Sequence, residues 1–231
     1  MSKLLSIVIP VYNEERIVNT SLPPIFSLAI NKEVVVINDG SSDNTLNILK
    51  NLKKEYSFNL INQEVNSGKG AAVKLGLKDI QGDYFIICDA DLEYNPQDII
   101  FLFEEIKKIY LDKPNEKIAI YGSRFLNKPV WSFHYLINKF LTLLTNCLFN
   151  GQLTDMETCF KLIPKEALEN INLSGRRFEI EPEITAKLLK NGYKIIERPI
   201  SYNGRNYLEG KKIKARDGLL AIQTLFTERF T

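Results

Sequence analysis

A chain of 231 residues and 26.5 kDa has the length of one large domain or two small ones. Its composition, 45% hydrophobic and 25% charged, excludes disordered, collagen-like and disulfide-scaffold proteins. A formal net charge of +2 gives no basis for broad nucleic-acid binding. The three cysteines, Cys88, Cys147 and Cys159, are widely spaced, which predicts neither a disulfide framework nor a thiolate zinc site and suggests a reducing compartment.

The beginning of the sequence does not resemble a secretion signal. The apolar run Leu5–Ile9 is shorter than a signal-peptide core and is not followed by a small-residue cleavage site. No uncharged apolar run approaches the ~18 residues that a membrane-spanning helix needs. We therefore expect a cytoplasmic protein that meets a membrane, if at all, from its surface.

The first 120 residues alternate short apolar, β-branched runs with helical stretches, a pattern typical of βαβ units and a parallel sheet. Ser41-Ser42-Asp43 predicts the start of a helix over Thr45–Lys54, and Asn95-Pro96 the start of one over Gln97–Tyr110. The predicted strands are Leu5–Ile9, Val34–Ile37, Phe58–Ile61, Tyr84–Cys88 and Ile118–Tyr121.

The remaining residues predict a different order of elements, with more helix and shorter strands. No linker-like stretch separates them from the first half, so we predict a single domain, 1–231, in which residues 122–231 complete a site that residues 1–121 open. The predicted elements are a helix at Phe133–Phe149, a strand at Cys159–Ile163, a helix after Glu181-Pro182, a strand at Lys194–Ile196 and a helix at Ile213–Phe230.

An acidic turn directly follows the predicted strand Tyr84–Cys88. Asp89, Asp91 and Glu93 would lie at the carboxyl end of that strand, where ligands bind in such sheets. Carboxylate oxygens suit Mg²⁺ or Mn²⁺, which share the rest of their coordination shell with phosphates and water. A solvated acidic turn is the alternative for an isolated pattern of this kind.

Three other strand ends also carry polar clusters: Pro10 to Glu15, Asn38 to Asp43, and Asn66 to Gly70. Each alone could be a helix cap or a glycine turn, but together they favour a ligand site on one sheet edge. The dinucleotide fingerprint and the P-loop motif are both missing, which argues against a dehydrogenase or a P-loop enzyme.

The ordered motifs resemble inverting family 2 glycosyltransferases of the GT-A fold. They are Pro10-Val-Tyr-Asn-Glu14, Asp39-Gly-Ser-Ser-Asp43, Asn66-x-Gly-Lys-Gly70, Asp89-Ala-Asp91 and Gly122-Ser-Arg124. Later segments, Thr154 to Lys161, Phe178 to Glu181 and Tyr202 to Gly218, are similar to the branch with dolichol-phosphate mannose and glucose synthases. The resemblance implies an α/β fold with a mainly parallel sheet, a nucleotide-binding half at 1–121 and an acceptor-side half at 122–231.

The resemblance also implies roles for single residues. The nucleoside would be held by Pro10, Tyr12, Glu14 and Asp39, with Ile37 lining it. Asp89, Asp91 and Glu93 would hold the metal, and Ala90 and Lys69 belong to the same substrate site. Arg124, Arg205 and Lys211 match positions that face phosphates. Asn38, Cys88 and Asn203 depart from the residues common in the family, which weakens the choice of donor sugar.

The predicted reaction transfers a hexose from a UDP- or GDP-sugar with inversion at the anomeric carbon, assisted by Asp91 and Arg124. A polyprenyl or dolichyl phosphate acceptor needs no base because it is already an anion. A saccharide hydroxyl needs one, and Asp155 and Glu157 are the candidates. A nucleotide-sugar-binding protein without catalysis and a sugar-phosphate nucleotidyltransferase remain alternatives.

The stretch Trp131–Phe149 has apolar residues at helical spacing with few charges, and it predicts either a core helix or a helix at a membrane surface. The basic residues between Arg205 and Arg216 would either attract anionic lipid or clamp a diphosphate. The sequence does not decide between these interpretations, and those that involve lipid predict peripheral contact with the cytoplasmic membrane face.

Overall fold

The elements predicted for the first half are present, with bounds within a few residues of those expected. The computed structural model describes residues 3–126, 133–204 and 215–231. The strands are β1 (Leu5–Val11), β2 (Lys32–Asp39), β3 (Asn59–Gln63), β4 (Tyr84–Ile87), β5 (Ile118–Ser123), β6 (Lys161–Pro164) and β7 (Lys194–Pro199). The helices are α1 (Val18–Phe26), α2 (Thr45–Glu55), α3 (Lys69–Leu77), α4 (Gln97–Asp112), α5 (Phe133–Phe149), α6 (Ile180–Lys190) and α7 (Ala215–Phe230), with a 3-10 helix at Lys165–Glu169.

The seven strands form one sheet in the order β3-β2-β1-β4-β6-β5-β7. All neighbours are parallel except β6, which runs antiparallel to β4 on one side and to β5 on the other. The carboxyl ends of β1, β2, β3, β4, β5 and β7 therefore share one edge with the amino end of β6. The prediction of a mainly parallel sheet is confirmed, and β6 lies between β4 and β5.

The pleat of β1 sends alternate side chains to two separate cores. Leu5, Ile7 and Ile9 are fully buried on the face covered by α1, α2 and α4. Val8 faces the opposite side, where α3 and α6 pack. Because strands covered on both faces need apolar residues throughout, the continuous apolar runs predicted these strands correctly.

Helix α5 belongs partly to a third apolar cluster. Its Leu141 packs with Ala186 of α6 and Leu225 of α7. On another face, Leu136, Phe140 and Leu143 are 54%, 56% and 62% exposed. One face of this helix thus packs into the core and another is exposed, which leaves contact with a membrane surface a prediction, while Trp131 lies outside the described residues. None of the described helices has the length and apolarity to span a bilayer.

Candidate functional site

The loops at the shared strand edge hold each other in place on the side of β1 and β2. Asn13, which has a left-handed backbone (φ +49°), accepts the Ser42 amide hydrogen at 2.8 Å and donates its own amide to Ser41 Oγ at 3.0 Å. The Glu14 amide donates to Thr45 Oγ1 at 2.9 Å. Ser41 and Ser42 thus tie two loops together instead of capping α2, whose first amide donates to Asp43 at 3.0 Å.

The predicted nucleoside residues of these loops differ in their accessibility. Pro10, Tyr12 and Glu14 are half-buried at the edge. Ile37 has no exposed surface and lies beneath α3, where its side chain fills the space beside Gly76. The Ile37 side chain therefore offers no surface to a ligand, in contrast to its predicted place beside the nucleoside.

Asp39, at the end of β2, is almost completely buried and organises the loop before α3. Its carboxylate accepts the backbone amides of Ser67 and Gly68, both at 2.8 Å, and the side-chain amide of Asn66 at 3.0 Å. Gly68 has φ +96°, and a Cβ there would lie 2.4 Å from the Arg176 carbonyl oxygen. The glycine turn is therefore required, because a side chain fits neither the backbone angle nor the space.

Beyond β4, the three carboxylates predicted as metal ligands have different partners. Asp89 accepts from Lys69 Nζ, with distances of 2.8 and 2.9 Å to its two oxygens. Asp91 accepts the Glu93 amide at 3.1 Å, and Glu93 accepts the Tyr202 hydroxyl at 2.6 Å. Ala90, predicted beside the substrate, is buried in the core.

A common site for all three carboxylates is not formed. Within residues 3–126, 133–204 and 215–231, no three acidic, histidine or cysteine side chains are arranged to hold a metal ion. A magnesium-like ion needs only one or two protein carboxylates when phosphates complete its shell. Asp89 and Asp91 fit that requirement by their donor chemistry and their place at the strand end.

Lys69 connects Asp89 to a buried charge network. Its Nζ lies 3.0 Å from Glu181 Oε1, while Lys161 Nζ lies 2.5 Å from Glu181 Oε2. Burial disfavours the charge on Lys69, but the carboxylates of Asp89 and Glu181 outweigh burial and raise its pKa well above the ordinary value. Lys69 thus stays cationic at this edge.

Glu157 lies beside this network. Its Oε1 is buried and has no hydrogen-bond partner among the described residues. Burial raises the pKa of Glu157 to about 7, although the nearby Lys161 acts in the opposite direction. This carboxyl group can therefore gain or lose a proton near neutral pH.

The other candidate base, Asp155, is committed to Arg124. Asp155 is fully buried and accepts the Arg124 backbone amide at 2.9 Å, Nε at 2.7 Å and Nη2 at 2.6 Å. The Asp155 amide in turn donates to Glu197 of β7 at 2.9 Å. The pair of Asp155 and Arg124 fixes the guanidinium at the end of β5. The ring centroid of Tyr202, whose hydroxyl donates to Glu93, lies 5.2 Å from Arg124 Cζ.

Four residues at this edge were given no individual role from the sequence: Lys161, Glu181, Glu197 and Tyr202. Lys161, Glu181 and Tyr202 lie at the ends of segments that carry the family resemblance, whereas Glu197 belongs to none of these segments. Lys161 is buried at the edge because β6 runs antiparallel and begins there, and Glu181 is buried in the first turn of α6. The predicted phosphate-facing residues Arg205 and Lys211 lie outside the described residues.

The sequence is similar to those of known glycosyltransferases. Residues 6–171 match the family model described as "Glycosyl transferase family 2". The chain is 32% identical to the dolichyl-phosphate beta-glucosyltransferase ALG5A of Trichomonas vaginalis, over 96% of this chain and 72% of that protein. It is 30% identical to the dolichol-phosphate mannosyltransferase of Pyrococcus furiosus, over 90% of this chain and 60% of that protein.

Solved structures support the fold. Glucosyl-3-phosphoglycerate synthase from Mycobacterium tuberculosis, in complex with Mn²⁺, uridine-diphosphate and phosphoglyceric acid, superposes with a TM-score of 0.72 at 16% identity. The match covers 99% of this chain and 79% of that one. The predicted α/β fold of the GT-A type is confirmed. With a family model that spans residues 6–171 and relatives aligned over most of its length, the chain belongs to glycosyl transferase family 2.

Proposed function

We propose that this glycosyltransferase moves a hexose from a UDP- or GDP-sugar to a polyprenyl or dolichyl phosphate, with inversion at the anomeric carbon and with a divalent cation. The observation that carries the proposal is the placement of Lys69 and Arg124 at the strand edge that also bears Asp89 and Asp91. Cations and carboxylates together suit a reaction whose donor, leaving group and acceptor all contain phosphate. The sequence similarity to a dolichyl-phosphate beta-glucosyltransferase and a dolichol-phosphate mannosyltransferase supports the lipid-phosphate acceptor.

On the donor side, Pro10, Tyr12, Glu14 and Asp39 would hold the nucleoside. Asp89 and Asp91 would hold the cation and the diphosphate, and the cation would supply charge stabilisation for the departing nucleotide. Lys69 would add a further positive charge, since its own partners keep it protonated.

On the acceptor side, Arg124 would orient the lipid phosphate. A guanidinium has five N–H groups, and its pair with Asp155 uses two of them. A phosphate anion attacks without giving up a proton, so the commitment of Asp155 to Arg124 is compatible with this acceptor. Asp155 then acts by orienting Arg124 and by balancing its charge.

The exposed stripe of α5, formed by Leu136, Phe140 and Leu143, supports an acceptor in a membrane surface. Helix α5 contains no acidic residue, which favours an anionic lipid surface over a basic partner. It is also joined to the site, because Lys139 Nζ donates to the Thr154 carbonyl at 3.1 Å, directly before Asp155.

A second candidate function, transfer to a saccharide hydroxyl, is favoured by Glu157. A hydroxyl nucleophile needs a base, and a carboxyl with a pKa of about 7 and an unpartnered oxygen has the required chemistry. In this alternative Glu157, not Asp155, would accept the proton.

Radiolabelled UDP-glucose, GDP-mannose and UDP-N-acetylglucosamine, each incubated with polyprenyl phosphate and a water-soluble saccharide together, test the acceptor directly. We expect label in the organic phase, with similar transfer by wild type and Glu157→Gln at saturating substrate. Label that enters only water-soluble saccharide, and that is lost in Glu157→Gln, would replace the phosphate acceptor by the hydroxyl acceptor.

A further inference from the structure

A short segment after β7 lies directly on the turn that contains Asp91. The Tyr202 hydroxyl donates to Glu93 Oε2 at 2.6 Å, and the Asn203 amide donates to the Glu93 carbonyl at 2.8 Å. Tyr94 and Tyr202 also form an isolated antiparallel bridge. Glu93 is therefore held through both its side chain and its backbone by residues more than a hundred positions later in the chain.

The turn itself depends on such support. Leu92 has φ +62°, a left-handed conformation that costs free energy in a residue with a branched side chain, and its side chain is 47% exposed. Within the turn, the Glu93 amide donates to Asp91 Oδ1 at 3.1 Å. The position of the Asp91 carboxylate thus depends on where Glu93 is held.

The aromatic ring of Tyr202 has a second role. It contacts Tyr94 edge-on at 5.3 Å between centroids and covers the Arg124 guanidinium at 5.2 Å. Burial and the bond to Glu93 both raise the pKa of the Tyr202 hydroxyl, so it remains a protonated donor across the physiological range. One side chain therefore contacts both the Asp91 turn and the arginine of the acceptor side.

We infer that Tyr202 is a positioning residue: through Glu93 it fixes the turn that presents Asp91 to the cation and diphosphate, and through its ring it keeps that turn in register with Arg124. Glu93 then serves as the anchor of the turn and not as a metal ligand, unlike the role that the sequence predicted for it. This inference rests on the proposed cation-assisted binding of a nucleoside diphosphate.

The test compares two variants that each remove one phenolic oxygen from the same ring pair. Tyr202→Phe removes the donor to Glu93 and keeps the ring on Arg124. Tyr94→Phe is the matched control, because the Tyr94 hydroxyl is near the Cys159 amide at 3.4 Å and not bonded to Glu93. Free Mn²⁺ is measured by electron paramagnetic resonance in the presence of UDP or GDP, and nucleotide affinity is also measured without metal.

We expect Tyr202→Phe to raise the Kd for Mn²⁺ about tenfold, as loss of a hydrogen bond to a charged group commonly does. Its metal-free nucleotide affinity stays at the wild-type value, and Tyr94→Phe binds Mn²⁺ like wild type. Glu93→Gln keeps an acceptor for Tyr202, so we expect it to bind Mn²⁺ at least about tenfold more tightly than Asp91→Asn does.

Circular dichroism and thermal unfolding establish that each variant is folded. Equal Mn²⁺ affinity in Tyr202→Phe and Tyr94→Phe overturns the inference, as does a loss in Glu93→Gln as large as that in Asp91→Asn. The Glu93→Gln comparison decides the matter even if Tyr202→Phe does not fold. Wild-type protein that binds neither nucleotide with Mn²⁺ overturns the proposed function, whereas the other outcomes overturn the inference alone.

Discussion

The two sides of the strand edge are stabilised in different ways. On the nucleotide side, the loops after β1 and β2 are joined by hydrogen bonds to backbone amides, as between Asn13 and Ser42 or between Asp39 and Gly68. On the proposed acceptor side, buried ion pairs are prominent: Arg124 with Asp155, and Lys161 with Glu181, which Lys69 of the other side also contacts. Buried ion pairs contribute little net stability, because desolvation offsets their attraction. The stability of the fold therefore does not explain the buried charges of the acceptor side.

This contrast separates groups that shape the site from groups available for chemistry. Asp39 accepts hydrogen bonds from several amide groups and fixes the loop before α3. Glu157 has a buried oxygen without a partner and a pKa near neutrality. Asp155, which is fully buried, is bound to one arginine. Substitutions of these carboxylates should consequently have different effects.

The largest effect is expected for Asp91→Asn. Loss of one negative charge from a hard-cation site should lower sugar transfer at least about a hundredfold, because the departing nucleotide loses its counter-charge. The circular dichroism spectrum should stay that of the wild type. Initial transfer rates across a Mn²⁺ titration measure this, and metal-dependent activity retained in the variant contradicts the assignment.

The next largest effect concerns stability on the acceptor side. Asp155→Asn leaves the Arg124 charge buried without its partner, at a cost of about 3 to 5 kcal/mol, and lowers Tm by roughly 10 °C. The double variant Arg124→Met with Asp155→Asn removes both charges and should recover much of this loss. If the single and double variants unfold at the same temperature, the ion pair is not the reason for the loss.

A smaller loss is expected on the nucleotide side. Asp39→Ala leaves the amides of Ser67 and Gly68 without their acceptor, at about 1 to 3 kcal/mol, and should also weaken donor binding. Asp43→Ala is the control, since Asp43 accepts the Thr45 amide but belongs to no proposed contact with the donor. Denaturant unfolding and nucleotide titration of both variants measure the two effects. Equal nucleotide affinity in the two variants would count against a nucleoside-binding role for Asp39.

Glu157 should make stability depend on pH. Its folded-state pKa of about 7 is raised from an ordinary value of 4.5, so the folded protein binds the proton more tightly than the unfolded chain. Stability from this group is therefore present at low pH and is lost as pH rises from about 4.5 to 7. Urea unfolding of wild type and Glu157→Gln at pH 5 and pH 7.5 checks this. We expect the free energy of unfolding to decrease less between pH 5 and pH 7.5 in Glu157→Gln than in the wild type. An equal decrease in both proteins would contradict the raised pKa of Glu157.

The smallest effect is expected at the exposed stripe of α5. Phe140→Gln should reduce binding to vesicles that contain anionic lipid by a few-fold, because partial burial at the lipid surface gains only a fraction of the about 1.5 to 3 kcal/mol that full burial of an apolar side chain contributes. Phe101→Gln on α4 is the matched control, since Phe101 is 43% exposed on a different helix. Vesicle sedimentation measures both variants. An equal reduction in both would remove the special role of the stripe.

Much of the nucleotide side was predictable because its information is local. β1, β2 and β4 each contain an apolar run, and each run is followed by the polar residues that form the edge. The same rule predicted Asp39 and Asp91 at strand ends, although it could not show that Asp39 is used by the loop before α3. Ile37 was placed in the nucleoside site by resemblance, whereas the pleat turns it into the core beneath α3.

The acceptor side was less predictable because its contacts are distant in sequence. A four-residue strand such as β6 has the same apolar pattern in either direction, so the arrival of Lys161 at the edge could not be derived. The bond between Tyr202 and Glu93 joins residues 109 positions apart. No local pattern encodes such a contact, and the two residues come together only when β7 is added to the sheet.

Cation-assisted nucleotide binding at the strand edge is tested most directly by titration calorimetry of the wild-type protein. UDP and GDP are each titrated with and without Mn²⁺, and Asp91→Asn is titrated in parallel. The account predicts that Mn²⁺ strengthens binding of at least one nucleotide to the wild type and not to the variant. Binding that Mn²⁺ leaves unchanged for both nucleotides would contradict it.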